Sequence, residues 1–205
     1  MAGITWDTAK VKTDDGWTLT MFHITGDADG PYQVTKPSVV MQHGMGGSGI
    51  LWTGSYGGMK KKNEIPMAYQ LAKDGFDVWI TNNSAVLYSQ EHDTWTPYDQ
   101  EYWAMDWRKY ALYDFPAAVA EIRKRNGDKK VAYVGHSQGT TQILAGMGLI
   151  PEWYDENVYS AVLLGPCDCP NQQYFFAYNK ENWDFMQENQ IYAFANTVGY
   201  DWTEK

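Results

Sequence analysis

The sequence predicts an α/β fold in which helices cover a mostly parallel sheet. Short apolar runs alternate along the chain with longer segments of helical periodicity, and glycine or proline marks most of the boundaries. Strands that alternate with helices are typical of parallel sheets, whose strands are buried on both faces and are therefore apolar throughout. With 205 residues and 44% apolar content, the chain is long enough for one domain with its own core.

The first elements are a hairpin and then a strand, a helix and a strand. Turn residues at 14–17 separate two β-like runs, residues 11–13 and 18–24, and this pattern predicts the hairpin. The next three elements are predicted at residues 38–42, 65–73 and 76–80, and Gly75 marks the end of the helix.

The second half of the chain continues the alternation. Apolar residues recur at helical spacing over residues 107–125, where Pro116 is expected to kink the helix or to lie in a first turn. The segment Asn126-Gly127-Asp128 closes this helix. A strand, a helix and a final strand are then predicted at residues 131–134, 138–148 and 158–164.

From Pro170 onward the pattern changes to an aromatic and polar, helix-like tail. Residues 1–169 are therefore expected to form the core, and residues 170–205 a separate helical region. The strand at 158–164 is then the last of the sheet, with a bare outer edge. Because a bare strand edge is a template for pairing, we expect a complementing polypeptide segment or a partner subunit at Val158–Leu164.

Charge and composition exclude several classes of function. The net charge is −9 and the basic residues form no continuous face, so nucleic acid is not an expected partner. No apolar run approaches the roughly 20 residues that span a bilayer, and residues 1–10 lack the apolar core of a signal peptide. Cys167 and Cys169 are too close for an ordinary disulfide and no nearby histidine suggests zinc, so neither metal nor cofactor is expected.

The chemistry is predicted at Gly135-His136-Ser137-Gln138-Gly139, which matches the pattern G-x-S-x-G. Small residues two positions before and after the serine allow a strained strand-to-helix turn that lifts the hydroxyl out of the sheet. An apolar strand precedes the pattern and a helix rich in small residues follows it, as such a turn requires. Ser137 is therefore the candidate nucleophile. The alternative is a structural serine in an ordinary glycine-flanked turn.

A serine that attacks an ester needs two backbone donors for the oxyanion that develops. The Gln138 N–H is one candidate. The second is expected from the loop after an earlier strand, where a glycine-rich segment begins at His43-Gly44 and the Met45 N–H is the candidate donor. The alternative for this segment is a flexible glycine-rich turn.

The order and spacing of these motifs resemble the acid lipase family, the gastric and lysosomal triacylglycerol and cholesteryl ester lipases of the α/β-hydrolase superfamily. The resemblance extends over about residues 10–170. Residues 82–87 depart from the pattern usual after the preceding strand. The matching segments are Thr13-Asp14-Asp15-Gly16-Trp17-Thr18-Leu19, His43-Gly44-Met45 with Leu51-Trp52, Gly75-Phe76-Asp77-Val78-Trp79, Ser89 with His92, Tyr113-Asp114-Phe115-Pro116-Ala117 and Gly135-His136-Ser137-Gln138-Gly139-Thr140.

The resemblance implies that this sequence is the N-terminal, nucleophile-bearing part of an α/β-hydrolase, truncated before the last strands. Residues 170–205 resemble the start of the lid-bearing cap that follows the core in the family. Ser137 is then the nucleophile, Met45 and Gln138 supply the oxyanion hole, and structural support is assigned to the residues around them: His43, Gly44, Gly135, His136 and Gly139.

The other members of the catalytic triad are missing from this sequence. The triad of this fold follows the order Ser, Asp, His, but no histidine follows Ser137; the four present are His23, His43, His92 and His136. Asp155, Asp168, Asp184 and Asp201 follow Ser137, but none comes after a further core strand. The base is therefore expected outside this chain.

Three functions stay open at this point. The first is a serine hydrolase of lipid or other carboxylic esters that needs no cofactor. The second is a catalytically inactive, lipase-like protein that serves as a structural or interaction subunit of a larger assembly. An acyltransferase that uses the same serine is the third. The resemblance implies a secreted or lysosomal location, and an intracellular one is the alternative.

Overall fold

The computed structural model describes residues 3–54 and 65–167, in which an eight-stranded sheet is flanked by helices. The helical region predicted at residues 170–205, and with it Cys169, lies outside the described residues. The strands are β1 (Thr5–Lys12), β2 (Trp17–Asp27), β3 (Gly30–Pro31), β4 (Ser38–Gln42), β5 (Asp77–Thr81), β6 (Glu91–His92), β7 (Val131–His136) and β8 (Val158–Leu164).

The predicted opening hairpin is present and is longer than its apolar pattern indicated. Strands β1 and β2 pair antiparallel from Thr5 to Lys12. The turn between them is closed by Thr13, whose hydroxyl accepts a hydrogen bond from the Trp17 N–H at 2.9 Å. Gly16 in this turn has a φ of 100°, a backbone conformation that favours glycine.

Strands β5, β4, β7 and β8 are parallel, as the alternation of strands and helices predicts. The order across the sheet is β1-β2-β5-β4-β7-β8, and only the hairpin side is antiparallel. Strands β4 and β7 are neighbours, and Gln42 at the end of β4 pairs with Gly135 near the end of β7. The two loops predicted to carry the chemistry therefore start side by side, at the carboxyl ends of β4 and β7.

Side chains of the central strands alternate between two apolar cores, one on each face of the sheet. Val40, Trp79 and Tyr133 belong to the core that α3 covers. Their neighbours in sequence point to the opposite core, beneath α1: Val39, Met41, Val78, Ile80, Ala132 and Val134. This period of two along buried strands is the reason that the sheet needs helices on both faces.

The helices follow the strands in the expected order, with one addition. They are α1 (Met67–Lys73), α2 (Trp107–Lys109), α3 (Phe115–Asn126), α4 (Gln138–Leu149) and α5 (Pro151–Asn157), with short 3-10 helices at Gly49–Thr53 and Glu101–Trp103. Helix α5 was not predicted from the sequence. None of the helices in residues 3–54 and 65–167 is long and apolar enough to cross a membrane.

The helix predicted over residues 107–125 is continuous but changes its winding ahead of the proline. A π-helical turn at Tyr110–Asp114 joins α2 to α3, and Pro116 lies in the first turn of α3. A proline lacks the N–H for the usual helical bond and clashes with the carbonyl four residues earlier, so a wider turn there relieves the conflict. The helix ends at Gly127, with a φ of 77°.

Candidate active site

Ser137 occupies a strained position between β7 and α4. Its backbone has φ 51° and ψ −119°, and a positive φ is uncommon for a residue other than glycine. Hydrogen bonds hold it there: the Ser137 N–H donates to the Leu164 carbonyl at 2.9 Å, and the Ser137 carbonyl accepts the Thr140 N–H at 2.8 Å and the Thr140 hydroxyl at 2.6 Å. The strand, turn and helix predicted around Ser137 are thus present.

The glycines two positions before and after Ser137 are required by close backbone packing. A Cβ on Gly135 would lie 2.9 Å from the carbonyl carbon of Gly139. A Cβ on Gly139 would lie 2.9 Å from both the Gln42 and the His43 carbonyl oxygens. Any larger residue at either position would push the turn away from the end of β4.

The glycine-rich loop after β4 lies directly against the nucleophile turn. A Cβ on Gly44 would lie 2.9 Å from the Ser137 Cβ and 3.1 Å from the His136 carbonyl oxygen. The loop then turns, with the Gly47 N–H donating to the Gly44 carbonyl at 3.2 Å and Gly46 at a φ of 65°. Met45 is therefore held beside Ser137 by an ordered turn.

The Met45 and Gln138 N–H groups are the two candidate donors for an oxyanion. Among residues 3–54 and 65–167, neither the Met45 nor the Gln138 N–H has a hydrogen-bond acceptor. Gln138 is the first residue of α4, a helix of 12 residues, so its N–H carries the partial positive charge of a helix N-terminus. Donors of this kind stabilise an oxyanion strongly because they are oriented before the reaction begins.

His43 supports this loop as a neutral, buried side chain. Its Nδ1–H donates to the Gly44 carbonyl at 2.8 Å, and its Nε2 accepts a hydrogen bond from the Asn83 N–H at 3.2 Å. Burial lowers the pKa of His43 to about 4, against the weaker opposing effect of the Gly44 carbonyl. Both ring nitrogens are occupied, so His43 is not available as a base for Ser137.

A buried polar cluster behind the loop was missed by the sequence analysis. Asn82, Asn83 and Ser84 follow β5 and are each at most 2% exposed. Asn82 accepts a hydrogen bond from the Gly49 N–H at 2.8 Å, and the Asn83 side chain donates to Gln142 of α4 at 3.2 Å. The cluster therefore joins the glycine-rich loop after β4 to the helix that begins after Ser137.

Asp114 completes this cluster from the π-helical turn. Its two carboxyl oxygens accept the Ser84 N–H and the Ser84 hydroxyl, each at 2.7 Å. Burial raises the pKa of Asp114 to about 8, although the Ser84 hydrogen bonds favour the charged form. Asp114 belongs to one of the segments that carry the family resemblance, which is the signal that pointed to it.

The other three histidines are engaged elsewhere or lie at the surface. His23 contacts the Asp77 carboxylate at 2.6 Å and stacks on Trp79. Burial alone would raise the pKa of Asp77, but hydrogen bonds led by that of His23 lower it. His92 stacks on Trp95, and His136 is exposed.

The described part of the chain places no base beside the nucleophile. No histidine nitrogen in residues 3–54 and 65–167 lies within hydrogen-bond distance of Ser137 Oγ, whose side-chain neighbour there is Cys167 Sγ at 3.9 Å. Asp155 lies on the exposed side of α5, and the three later aspartates lie outside the described residues. Within the same residues, no group of three His, Cys, Asp or Glu side chains is arranged to hold a metal ion.

A mostly parallel sheet with a strained serine at a strand-to-helix turn defines the class of α/β hydrolases. The chain belongs to the α/β hydrolase family: residues 37–200 match the family described as "alpha/beta hydrolase fold". Residues 1–56 also match a "Partial alpha/beta-hydrolase lipase region". The fold class and the family inferred from the motifs are thus confirmed.

Curated relatives agree with the resemblance to acid lipases. The chain is 38% identical to a gastric triacylglycerol lipase of Bos taurus over 133 aligned residues. The alignment covers 64% of this chain and 32% of that protein. It is 32% identical to Lipase 1 of Drosophila melanogaster over 188 aligned residues. That alignment covers 92% of this chain and 38% of that protein. The chain therefore spans about a third of the length of the relatives it matches.

Solved structures agree on the fold. An esterase of Pyrococcus furiosus matches with a TM-score of 0.56 and 16% sequence identity, over 95% of this chain and 60% of that one. An α/β hydrolase of Novosphingobium aromaticivorans matches with a TM-score of 0.53 and 18% identity, over 80% of this chain and 44% of that one. At these identities the likeness shows a common fold.

Proposed function

We propose that the chain is the nucleophile-bearing part of a lipase-like serine hydrolase that acts on lipid or other carboxylic esters. The relatives named as lipases support the reaction class and the lipid substrate. The observation that supports the proposal best is the close approach of Gly44 to Ser137. It makes Met45, next to Gly44, and Gln138, next to Ser137, the candidate donors, and neither N–H has an acceptor among residues 3–54 and 65–167. No cofactor is needed for this chemistry.

In the proposed mechanism, Ser137 Oγ attacks the ester carbonyl carbon and passes its proton to a base. The carbonyl oxygen becomes an oxyanion, which accepts hydrogen bonds from the Met45 and Gln138 N–H groups. Collapse of this intermediate breaks the bond to the alcohol, which leaves with the proton. Water then attacks the acylated Ser137 by the same route, releases the acid and restores the serine.

The base in this proposal is a histidine outside this sequence, oriented by an acid that is also outside it. His43 is buried with both nitrogens engaged, and His23 is paired with Asp77. We place the complementing segment or partner subunit at the outer edge of β8, because the Ser137 N–H is bonded to the end of that strand. A further parallel strand there would end, like β7, at the carboxyl end of the sheet, so the loop after it would lie on the same side as Ser137.

Hydrolysis of a p-nitrophenyl ester by the native protein tests this function. Ser137→Ala is expected to lower kcat by about 10⁴-fold or more, since members of a triad act as a unit. Thr8→Ala is the control, because Thr8 is exposed on β1 at the opposite edge of the sheet and should leave turnover unchanged. Equal turnover by the parent and Ser137→Ala would refute the assignment.

A second candidate function is that of a non-catalytic subunit of hydrolase descent. It is favoured by the lack of a histidine nitrogen near Ser137 Oγ in the described residues and by the exposed strand β8. In this case the native assembly would bind its partner through β8 and show no turnover that depends on Ser137. The two variants above therefore distinguish the two functions.

For the compartment, we propose the secreted or lysosomal route. The proposal rests on relatives that are named as gastric and lysosomal lipases. Fractionation of cells that express the native protein tests it, with recovery in the medium or in lysosomes as the expected result. Recovery in the cytosol would favour the intracellular alternative.

A further inference from the structure

The end of β8 and the segment that follows it are fixed to Ser137 and to the start of α4 by three hydrogen bonds. The Leu164 carbonyl accepts the Ser137 N–H at 2.9 Å. The Cys167 N–H donates to the Thr140 hydroxyl at 2.9 Å, and the Cys167 carbonyl accepts the Thr141 hydroxyl at 2.7 Å. Gly165, with a φ of 60°, makes the turn between these contacts.

Thr140 is the one side chain that joins both parts of this arrangement among the described residues. Its hydroxyl donates to the Ser137 carbonyl at 2.6 Å while it accepts the Cys167 N–H. A hydroxyl has one proton to donate and lone pairs to accept, so both bonds form at once. Thr140 is fully buried, and water therefore does not replace either bond when the hydroxyl is removed.

The consequence of this anchoring is that the Cys167 side chain stands beside the nucleophile. Its Sγ lies 3.9 Å from Ser137 Oγ and 3.6 Å from the Gly165 carbonyl oxygen. An ester that reacts with Ser137 must place its carbonyl carbon next to the same oxygen, so Cys167 limits the space on one side. The position of Cys167 is in turn set by Thr140.

We propose that Thr140 is a positioning residue of the ester site. Its buried hydroxyl holds residues 165–167 against the turn at Ser137. The Cys167 side chain is thereby kept in one position beside the Ser137 hydroxyl, where it limits the space for the ester. The inference rests on the proposed function. Misplacement of reacting groups by about 1 Å can cost on the order of 100-fold in rate. If residues 165–167 move away from the turn at Ser137, the ester should be held less precisely, and acylation should slow while binding changes little.

The test uses Thr140→Val, which keeps the shape and removes both hydrogen bonds, in a Cys169→Ser background of the native protein. Labelling of Ser137 by a fluorophosphonate should slow by about 10- to 100-fold. The loss in ester turnover should fall on kcat with little change in KM. Cys167 should react about tenfold faster with a thiol reagent such as dithiobis(nitrobenzoate), because the segment opens more often.

Two further variants separate positioning from general stability. Thr140→Ser retains the hydroxyl and should restore both rates to within about twofold of the parent. Thr13→Val is the matched control, because the buried Thr13 hydroxyl is also hydrogen-bonded, to the Asp15 carboxylate and to the Trp17 backbone, in the hairpin turn between β1 and β2. It should lower Tm without altering labelling or thiol reactivity.

The outcomes are distinguishable. A parent protein that fluorophosphonates do not label overturns the proposed function, and this inference with it. A labelled parent, with Thr140→Val labelled at the same rate, overturns the positioning role alone. If Thr140→Val does not fold, Thr141→Val removes the bond to the Cys167 carbonyl and should change both rates in the same direction by a smaller factor. Unchanged rates in that variant also overturn the inference.

Discussion

Gly44 is the residue at which the two loops of the site meet. Its backbone packs on the Ser137 Cβ and the His136 carbonyl, so its lack of a side chain sets the distance between the glycine-rich loop after β4 and the turn at Ser137. The loop is held from behind by His43 and the buried Asn83. A change at Gly44 therefore acts on geometry, with small effects on the core.

Gly44→Ala should impair the reaction more than the fold. The added Cβ would lie 2.9 Å from the Ser137 Cβ and would move the Met45 N–H away from the oxyanion. Loss of one such donor costs about 100- to 1000-fold in kcat. Gly148→Ala is the control, because a Cβ there meets nothing within 4 Å. Steady-state kinetics and thermal unfolding of both variants give the comparison, and normal turnover of Gly44→Ala would exclude this geometry.

Asp114 makes stability depend on pH. Its pKa is about 8 in the folded state and 3.8 as the ordinary value, so the folded protein keeps a proton that the unfolded chain releases. The stabilisation is complete below the ordinary pKa and is lost as pH rises through 8. Between pH 6.5 and 8 the free energy of unfolding should fall by up to about 1.4 kcal/mol per pH unit from this group.

Asp114→Asn should remove this dependence, because the amide does not ionise. Urea unfolding at intervals from pH 7 to 9 measures it, because His43, whose pKa is about 4 in the folded state and 6.5 as the ordinary value, changes stability mainly below this range. The parent should lose stability with rising pH, while the variant should show a flatter profile. The same slope in both proteins would mean that another group is responsible.

The elements of the sheet were the most predictable part of the molecule. Ser38–Gln42 and Val158–Leu164 are strands with the bounds that their apolar runs predict. For β4 the reason is that a parallel strand buried on both faces has no polar face to obscure the pattern. The turn at Ser137 was predictable because its glycines are needed for backbone contacts that any such turn makes. The order of the strands was not predicted.

Other parts of the site could not be found from local sequence. Helix α5 has seven residues, too few for a helical period to stand out. Asn82, Asn83 and Ser84 look like turn residues, and their burial depends on Asp114, which is 30 residues from Ser84 along the chain. Thr140 and Cys167 are likewise far apart along the chain, at a separation of 27 residues, and only the folded structure brings them into hydrogen-bond contact.

The contact between α4 and α5 is the tightest helix packing near the site. A Cβ on Gly146 would overlap the ring of Tyr154, whose hydroxyl donates to the Ala111 carbonyl at 2.8 Å. Gly146→Ala should therefore lower the free energy of unfolding by about 1–3 kcal/mol, the usual cost of overpacking a core. The cost should shrink in a Tyr154→Leu background, where the ring is gone. Additive effects in this double-mutant cycle would show that the two residues do not interact.

At the scale of the whole molecule, β8 forms one edge of the sheet in the described residues. Residues 159–162 of this strand are exposed, including Tyr159 at 48% and Val162 at 51%, whereas β7 beside it is buried over residues 131–135. An apolar parallel strand with one unpaired side is a template for association.

The purified chain is therefore expected to associate through β8 and to bind a hydrophobic dye. Val162→Lys should weaken both effects, because a charged residue on an edge strand opposes pairing. Tyr98→Lys is the control, since Tyr98 is 96% exposed and lies away from the sheet. Size-exclusion chromatography with light scattering gives the masses. A 23.4 kDa monomer without dye binding would show that the edge is covered.

The central claim is that Ser137 is the nucleophile of a serine hydrolase, and the site of covalent labelling tests it most directly. The native protein is treated with a fluorophosphonate, digested, and analysed by peptide mass spectrometry. We expect one phosphonylated peptide, the one that contains Ser137, and its loss in Ser137→Ala but not in Thr8→Ala. An adduct on another residue, or labelling that persists undiminished in Ser137→Ala, would contradict the account.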